Sequence, residues 1–168
     1  HDAAQPKLLR QPQVELCLAC HDDRAQEQAS SPFLHFPVFQ TGCSVCHDPH
    51  ASDVSGRLYA AVNDLCLACH AMDAEGEPGS SAQELVLFGG AVRLPGNYLE
   101  KVGRIPVAMG AKTGHPMQMH PIDGANASSG HGKLSCISCH NAHAGKGNPR
   151  MFVTGSKTSS SLCLHCHK

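Results

Sequence analysis

The string Cys-x-x-Cys-His occurs five times in 168 residues, at Cys17/Cys20/His21, Cys43/Cys46/His47, Cys66/Cys69/His70, Cys136/Cys139/His140 and Cys163/Cys166/His167, and it uses all ten cysteines. That leaves about 34 residues per motif, too few to build a conventional core around each one. Two thiols three residues apart can each add to one of the two vinyl groups on a haem edge, and the His directly after the second thiol reaches the iron from the same side. Ten cysteines in an exported chain could also form five disulfides, and paired Cys-x-x-Cys units could ligate zinc. Neither alternative explains a His after every pair, and a Cys-x-x-Cys disulfide is usually a reactive redox element rather than a staple. The expectation is five covalently attached c-type haems, with the ten cysteines as attachment points and His21, His47, His70, His140 and His167 as proximal iron ligands.

Thirteen histidines are present, so eight remain beyond the proximal five: His1, His35, His50, His115, His120, His131, His143 and His165. Five irons need at most five more ligands, and neutral imidazole is a good iron donor. His50 and His143 rank first, each three residues beyond a proximal His, in Cys-His-Asp-Pro-His and Cys-His-Asn-Ala-His. Their own irons are already ligated from a short loop, so each is expected to reach a neighbouring haem. His35 in His-Phe-Pro-Val, His115 in His-Pro-Met and His120 in His-Pro-Ile follow, because a nearby Pro stiffens the loop that would hold the imidazole. His131 and His165 are expected to face solvent, and His1 to ligate an iron in this subunit or an adjacent one. Met72, Met109, Met117, Met119 and Met151 are rival axial ligands. With imidazole in surplus they are expected instead to pack against porphyrin faces.

Composition agrees with a cofactor-built interior. There is no Trp, and there are two Tyr, five Phe, sixteen Gly and eleven Pro, so the polypeptide alone buries too little apolar surface to fold. The expected fold is mostly irregular, with a few short α-helices and minimal strand, wrapped around a stack of five haems. The apoprotein is expected to be largely unfolded. The longest apolar stretch, Leu85 to Val92, is far short of the roughly 20 residues that cross a bilayer. The first residue is His1 rather than Met, which implies a removed signal peptide and an exported, periplasmic or extracellular protein. A formal charge of −1 offers no basic patch for nucleic acid. Each oxidised haem adds about −1 through its propionates, taking the total towards roughly −6.

The motifs alternate between two types. One has Leu on both sides of its first Cys (Leu16-Cys17-Leu18, Leu65-Cys66-Leu67, Leu162-Cys163-Leu164), and the other carries the extra His. Aligning the second type on Cys43 and Cys136 pairs Ala51 with Ala144, Arg57 with Arg150 and Tyr59 with Phe152 without a gap, which implies an internal duplication. Residues 1–74 then hold three haems, and 75–168 hold an insert and two more, within one continuous multihaem domain. The insert opens on a Gly, Pro and Ser-rich linker, Glu75 to Ser81. Its apolar middle, Glu84 to Val107, reads as a strand or hairpin followed by a helical turn. Short helices are expected at the motifs, with Asn63 and Ser159–Ser161 as caps.

The segments His35-Phe-Pro-Val38, Gly42-Cys-Ser-Val-Cys-His-Asp-Pro-His50, Leu65-Cys-Leu-Ala-Cys-His70, Gly114-His-Pro-Met117 and Ser135-Cys-Ile-Ser-Cys-His-Asn-Ala-His143 resemble the multihaem c-type cytochromes with doubled Cys-x-x-Cys-His motifs. The resemblance covers both repeats, and the insert less. It implies that the His of the His-Pro elements and the His after the motif are sixth ligands. It also implies a possible extracellular filament, in which haems continue from subunit to subunit. Asn141-Ala142 in place of Asp-Pro, and the positions of His131 and His165, depart from the pattern. Irons with both axial sites filled exchange electrons but leave no position for substrate. The expectation is therefore an electron conductor rather than an enzyme, working with redox partner proteins or extracellular acceptors as a homo-polymer. Alternatives are a soluble periplasmic or extracellular carrier, a multihaem reductase or a haem store.

Overall fold

Each of the three motifs with Leu around the first Cys has that Cys on an α-helix of at least six residues. In the computed structural model, which describes residues 8–72, 74, 77–78, 84–105 and 134–168, helix α1 (Gln13–Leu18) carries Cys17. Helix α3 (Val62–His70) carries the whole third motif, and α5 (Ser159–Cys166) carries Cys163 and Cys166. Helix α2 (Asp22–Ser30) follows the first motif directly, with Asp22 and Asp23 in its first turn, where the helix dipole favours negative charge. The other type of motif is less helical: a 3₁₀ turn over Cys43–Val45 and a four-residue helix, α4 (Cys136–Cys139).

The helix starts differ from those expected. Helix α3 begins after Ala61 with no side-chain cap, and Asn63, inside the helix, points its carboxamide elsewhere. Helix α5 begins after Thr158, whose Oγ1 accepts the Ser161 N–H at 3.1 Å while Ser161 Oγ accepts the Thr158 N–H at 3.2 Å. A reciprocal cap needs two hydroxyls three residues apart, and in the run Thr158-Ser-Ser-Ser161 only the outer pair has that spacing.

The chain divides into two compact units, His1–Val45 with Cys139–Lys168, and Cys46–Ser138. In the first, β1 (Phe33–Leu34) pairs antiparallel with β5 (Ala144–Gly145), Phe33 opposite Gly145 and Leu34 opposite Ala144. A Cβ on Gly145 would meet Met151 Cα at 2.8 Å, so the short ladder requires glycine there.

In the second unit β2 (Glu77–Pro78), β3 (Glu84–Leu87) and β4 (Val92–Pro95) form an antiparallel sheet in the order β2-β3-β4. Glu84 lies opposite Pro95 and Leu87 opposite Val92, and a 3₁₀ turn follows at Tyr98–Lys101. This is the hairpin and helical turn that the apolar run implied, and part of the expected linker supplies its edge strand. Leu85, Val86, Leu87, Val92, Leu94, Tyr98 and Leu99 are buried. They make a small apolar centre rather than a full core: among the described residues no large side chain is completely enclosed. No helix of the described residues is long and apolar enough to cross a membrane.

The duplication is visible in the backbone, with one correction to its register. In the first copy the Asp48 N–H donates to the Arg57 carbonyl at 2.7 Å and His47 bridges to Leu58. In the second the Asn141 N–H donates to the Met151 carbonyl at 2.7 Å and His140 bridges to Phe152. Arg57 therefore corresponds to Met151 and Leu58 to Phe152, not Arg57 to Arg150 and Tyr59 to Phe152. Positive φ at both Arg57 (57°) and Met151 (53°) marks the same strained position. The pairing of Ala51 with Ala144 stands, so the second copy has one extra residue after it.

Candidate haem-binding site

Three of the five motif imidazoles are fixed in the same way. His47 Nδ1 donates to the Gly56 carbonyl, His70 Nδ1 to the Gly103 carbonyl and His140 Nδ1 to the Arg150 carbonyl, each at 2.7 Å. A carbonyl can only accept, so the proton sits on Nδ1 and the lone pair of the neutral ring is on Nε2. This is the outer-shell bond that orients ligating histidines and raises their basicity. In the two duplicated motifs the acceptor comes from the loop nine or ten residues on. At His70 it comes from the insert, where the Ile105 N–H also donates to the His70 carbonyl at 2.8 Å. Arg104 Nη1 reaches the Ala71 and Ala74 carbonyls at 2.7 and 2.9 Å. Phe152, buried, lies with its ring 5.5 Å from that of His140.

These residues fit haem c. The large apolar side chains left exposed include Leu16, Ile137 and Leu164 beside the motif cysteines, Met72 just beyond His70, and Phe36 and Phe39 flanking His35. Apolar surface gathered at the attachment points is what a porphyrin face would cover. None of the ten cysteines is in a disulfide. Among the described residues, no group of three or more His, Cys, Asp or Glu is gathered as a metal site, as a zinc centre would need.

The ten thiols are not enclosed alike. Cys20, the second cysteine of the first motif, is exposed, as are Cys163 and Cys166 of the last, whereas the other seven are half-buried. The reason at Cys20 is its place in the chain. It sits just past the end of α1, where its N–H donates to the Cys17 carbonyl at 3.2 Å, and the residues that follow, His21, Asp22 and Asp23, are polar and exposed themselves. Among the described residues no apolar segment closes over it, so a haem attached at Cys20 would supply its cover.

The thiols meet between motifs as well. In the first unit burial, and then Cys17, push the Cys43 thiol up to about 11. In the second, the Cys66 thiol is held well above its usual range by its hydrogen bond to Cys136, reinforced by burial. Cys136 moves the opposite way, to about 7, because it accepts that bond. Burial raises Cys69 too. Cys43, Cys66 and Cys69, held as neutral thiols, are poor at disulfide exchange and carry the S–H that adds across a vinyl group.

The histidines beyond the second type of motif share one turn. Asp48 Oδ1 accepts the His50 and Ala51 N–H groups at 2.9 and 3.4 Å, and Asn141 Oδ1 accepts the His143 and Ala144 N–H groups at 2.9 and 3.4 Å. The replacement of Asp-Pro by Asn-Ala thus keeps the turn, since either side chain supplies the acceptor. Asn141 also donates to Glu27 at 2.6 Å. The imidazoles differ: His143 is half-buried, whereas that of His50 is 93% exposed and 3.7 Å from Asp48.

His35 is the most firmly built of the expected distal ligands. Its Nδ1 donates to the Ala142 carbonyl at 2.9 Å, and its backbone N–H donates to the His143 carbonyl at 3.0 Å. It therefore carries the same Nδ1 anchor as the motif histidines, and the β1–β5 ladder brings it beside His143. His165 and His167 lie on the exposed end of α5 and His21 is exposed at the start of α2. His1, His115, His120 and His131, with Met109, Met117 and Met119, lie outside the described residues. Sequence reasoning missed the acceptors Gly56, Gly103 and Arg150, the pairing of Asn141 with Glu27, and the carboxamides of Gln13 and Asn63.

The two turns should respond differently to acid. The His50 N–H, its main cause, holds the Asp48 carboxyl below its usual range. A depressed carboxyl contributes stability that is present above the unfolded value of 3.8 and lost as pH falls through the lower folded value. Protection of the His50 amide in hydrogen–deuterium exchange is therefore expected to fall in acid, while that of His143 stays level. Asp48→Asn should remove the acid response. Equal acid responses in the two turns would contradict the assignment.

The doubled CXXCH motif family matches residues 1–26, 35–75 and 129–168, together well over half of the chain. Over 72 residues the chain is 31% identical to the multiheme cytochrome MtrA of Shewanella baltica, a stretch that makes up 42% of this chain and 22% of that protein. The matched region thus spans less than a quarter of the relative. No solved structure matches.

Proposed function

Because the chain belongs to the doubled-CXXCH family of multihaem c-type cytochromes, we propose that it carries five covalently bound haems and conducts electrons. The observation that carries this reading is the identical 2.7 Å anchoring of Nδ1 in His47, His70 and His140, which fixes each ring in the tautomer whose lone pair is on Nε2. Bound haem supplies a one-electron iron couple, so closely placed centres exchange electrons without substrate chemistry. The chain's part is to attach, ligate and insulate.

The sixth ligands in this reading are His35, His50, His115, His120 and His143, with His1 as a further donor within the subunit or across to another. The anchoring of His35 and the shared turn before His50 and His143 support three of them. Filling every axial site leaves no position for substrate, which favours a conductor over a reductase. Exposure of the fifth motif, with Leu164 67% accessible beside exposed Cys163 and Cys166, supports a homo-polymeric filament over a soluble carrier. Its electrons would pass to redox partner proteins or extracellular acceptors outside the inner membrane.

Two measurements test this. Optical potentiometric titration of the mature protein should show uptake of five electrons by low-spin irons; cyanide binding or nitrite turnover by the native protein would favour a reductase instead. Electron microscopy of the secreted material should show filaments, and uniform monomers would overturn the polymer.

A further inference from the structure

Two carboxamides, each three or four residues upstream of a Leu-flanked motif's first cysteine, reach across to the first turn of the other type of motif. Gln13, four residues before Cys17, donates from Nε2 to Ser44 Oγ at 2.7 Å and accepts the Ser44 N–H on Oε1 at 3.3 Å. Asn63, three residues before Cys66, accepts the Cys136 N–H on Oδ1 at 3.0 Å. The two clamps sit in different units and join different motifs, yet they have one outcome. The first cysteine of the Leu-flanked motif and the first cysteine of the other type come within hydrogen-bonding reach, Cys17 with Cys43 and Cys66 with Cys136. Gly42, at φ 106°, belongs to the first clamp, because a Cβ there would run into the Gln13 carboxamide oxygen.

We propose that Gln13 and Asn63 are positioning residues that join the haems in two pairs, first with second and third with fourth, by setting the first thioether of each partner beside the other. The inference rests on the five-haem reading above and goes beyond it, since attachment at each motif requires no particular pairing. The fifth motif lacks the clamp residue. The corresponding residues before Cys163 are Ser159 and Ser160, neither a carboxamide. The two clamps therefore define two coupled pairs.

Closely paired haems couple their Soret transitions and give a two-signed circular dichroism band, which reports geometry rather than turnover. Gln13→Leu and Asn63→Leu keep side-chain size and remove the clamp. Each should remove its own part of the two-signed band, and the double variant should remove both parts additively, since the clamps share no residue. Gln13→Glu and Asn63→Asp keep the accepting oxygen and should retain the band. Haem content from intact mass separates the two claims: fewer than five haems in the unaltered protein defeats the five-haem reading, whereas five haems with an unchanged band in both Leu variants defeats the pairing. Should Asn63→Leu mature incompletely, haem-peptide mapping decides. Loss at the fourth motif, whose backbone Asn63 holds, is expected, and loss confined to the third would overturn the proposal.

Discussion

Replacing His35 with alanine in the haem-loaded protein is expected to turn one iron in five from six-coordinate low-spin to high-spin, seen by electron paramagnetic resonance and in the visible spectrum. The expectation follows from how the side chain is held. Its Nδ1 proton is committed to the Ala142 carbonyl at 2.9 Å and its backbone N–H to the His143 carbonyl at 3.0 Å. Its own carbonyl accepts the Val38 N–H at 3.0 Å, and Pro37 follows two residues on. An imidazole fixed at this many points loses little freedom on ligating a metal, and the bond at Nδ1 makes Nε2 the more basic donor. Added imidazole should restore the low-spin signal. His165→Ala, at an exposed position inside its own motif, should leave the spectrum unchanged. A low-spin spectrum retained in His35→Ala would remove His35 from the ligand set.

A second large effect is expected at Gly147, where the chain passes directly over its own backbone. A Cβ there would collide with the Gly155 carbonyl and lie 2.6 Å from the Ser156 oxygen. Backbone atoms cannot rotate aside, so Gly147→Ala must part the two strands of the loop that present the Arg150 carbonyl and Phe152 to His140. A loss of more than about 3 kcal/mol is expected, read as a lowered denaturation midpoint of the loaded protein and poor haem incorporation at the fourth motif. Gly103→Ala is the control: a Cβ there meets nothing within 4 Å, and the carbonyl offered to His70 remains. It should cost less than about 0.5 kcal/mol. Equal stability of the two variants would contradict the close approach.

These two sites show what sequence carries and what it does not. The motifs, the offset of His50 and His143, and the hairpin over Glu84–Pro95 are legible because they depend on side-chain identity at fixed spacing. The carbonyls that orient His47, His70 and His140 are not, because every residue has one and only the backbone path decides which is used. Gly103 lies 33 residues from its histidine, supplied by an insert with no motif of its own. Nor does the motif say how deeply its thiols sit: Cys20 and Cys46 hold the same place in their strings, yet only Cys20 is exposed, because cover depends on which segments fold back over the turn. The register of the duplication failed for a related reason: Arg57 and Arg150 match in type, but the backbone matches Arg57 with Met151 through positive φ and hydrogen bonds. Gln13 and Asn63 look like ordinary polar helix residues, and Asn63 like a cap, until the fold puts a backbone N–H opposite each.

Intact mass of the mature protein tests the central claim most directly. The account predicts the polypeptide plus five haems, stable to denaturation and acid because each is held by thioethers from Cys17/Cys20, Cys43/Cys46, Cys66/Cys69, Cys136/Cys139 and Cys163/Cys166. The mass of the bare polypeptide, or one lowered by disulfide formation, would contradict it.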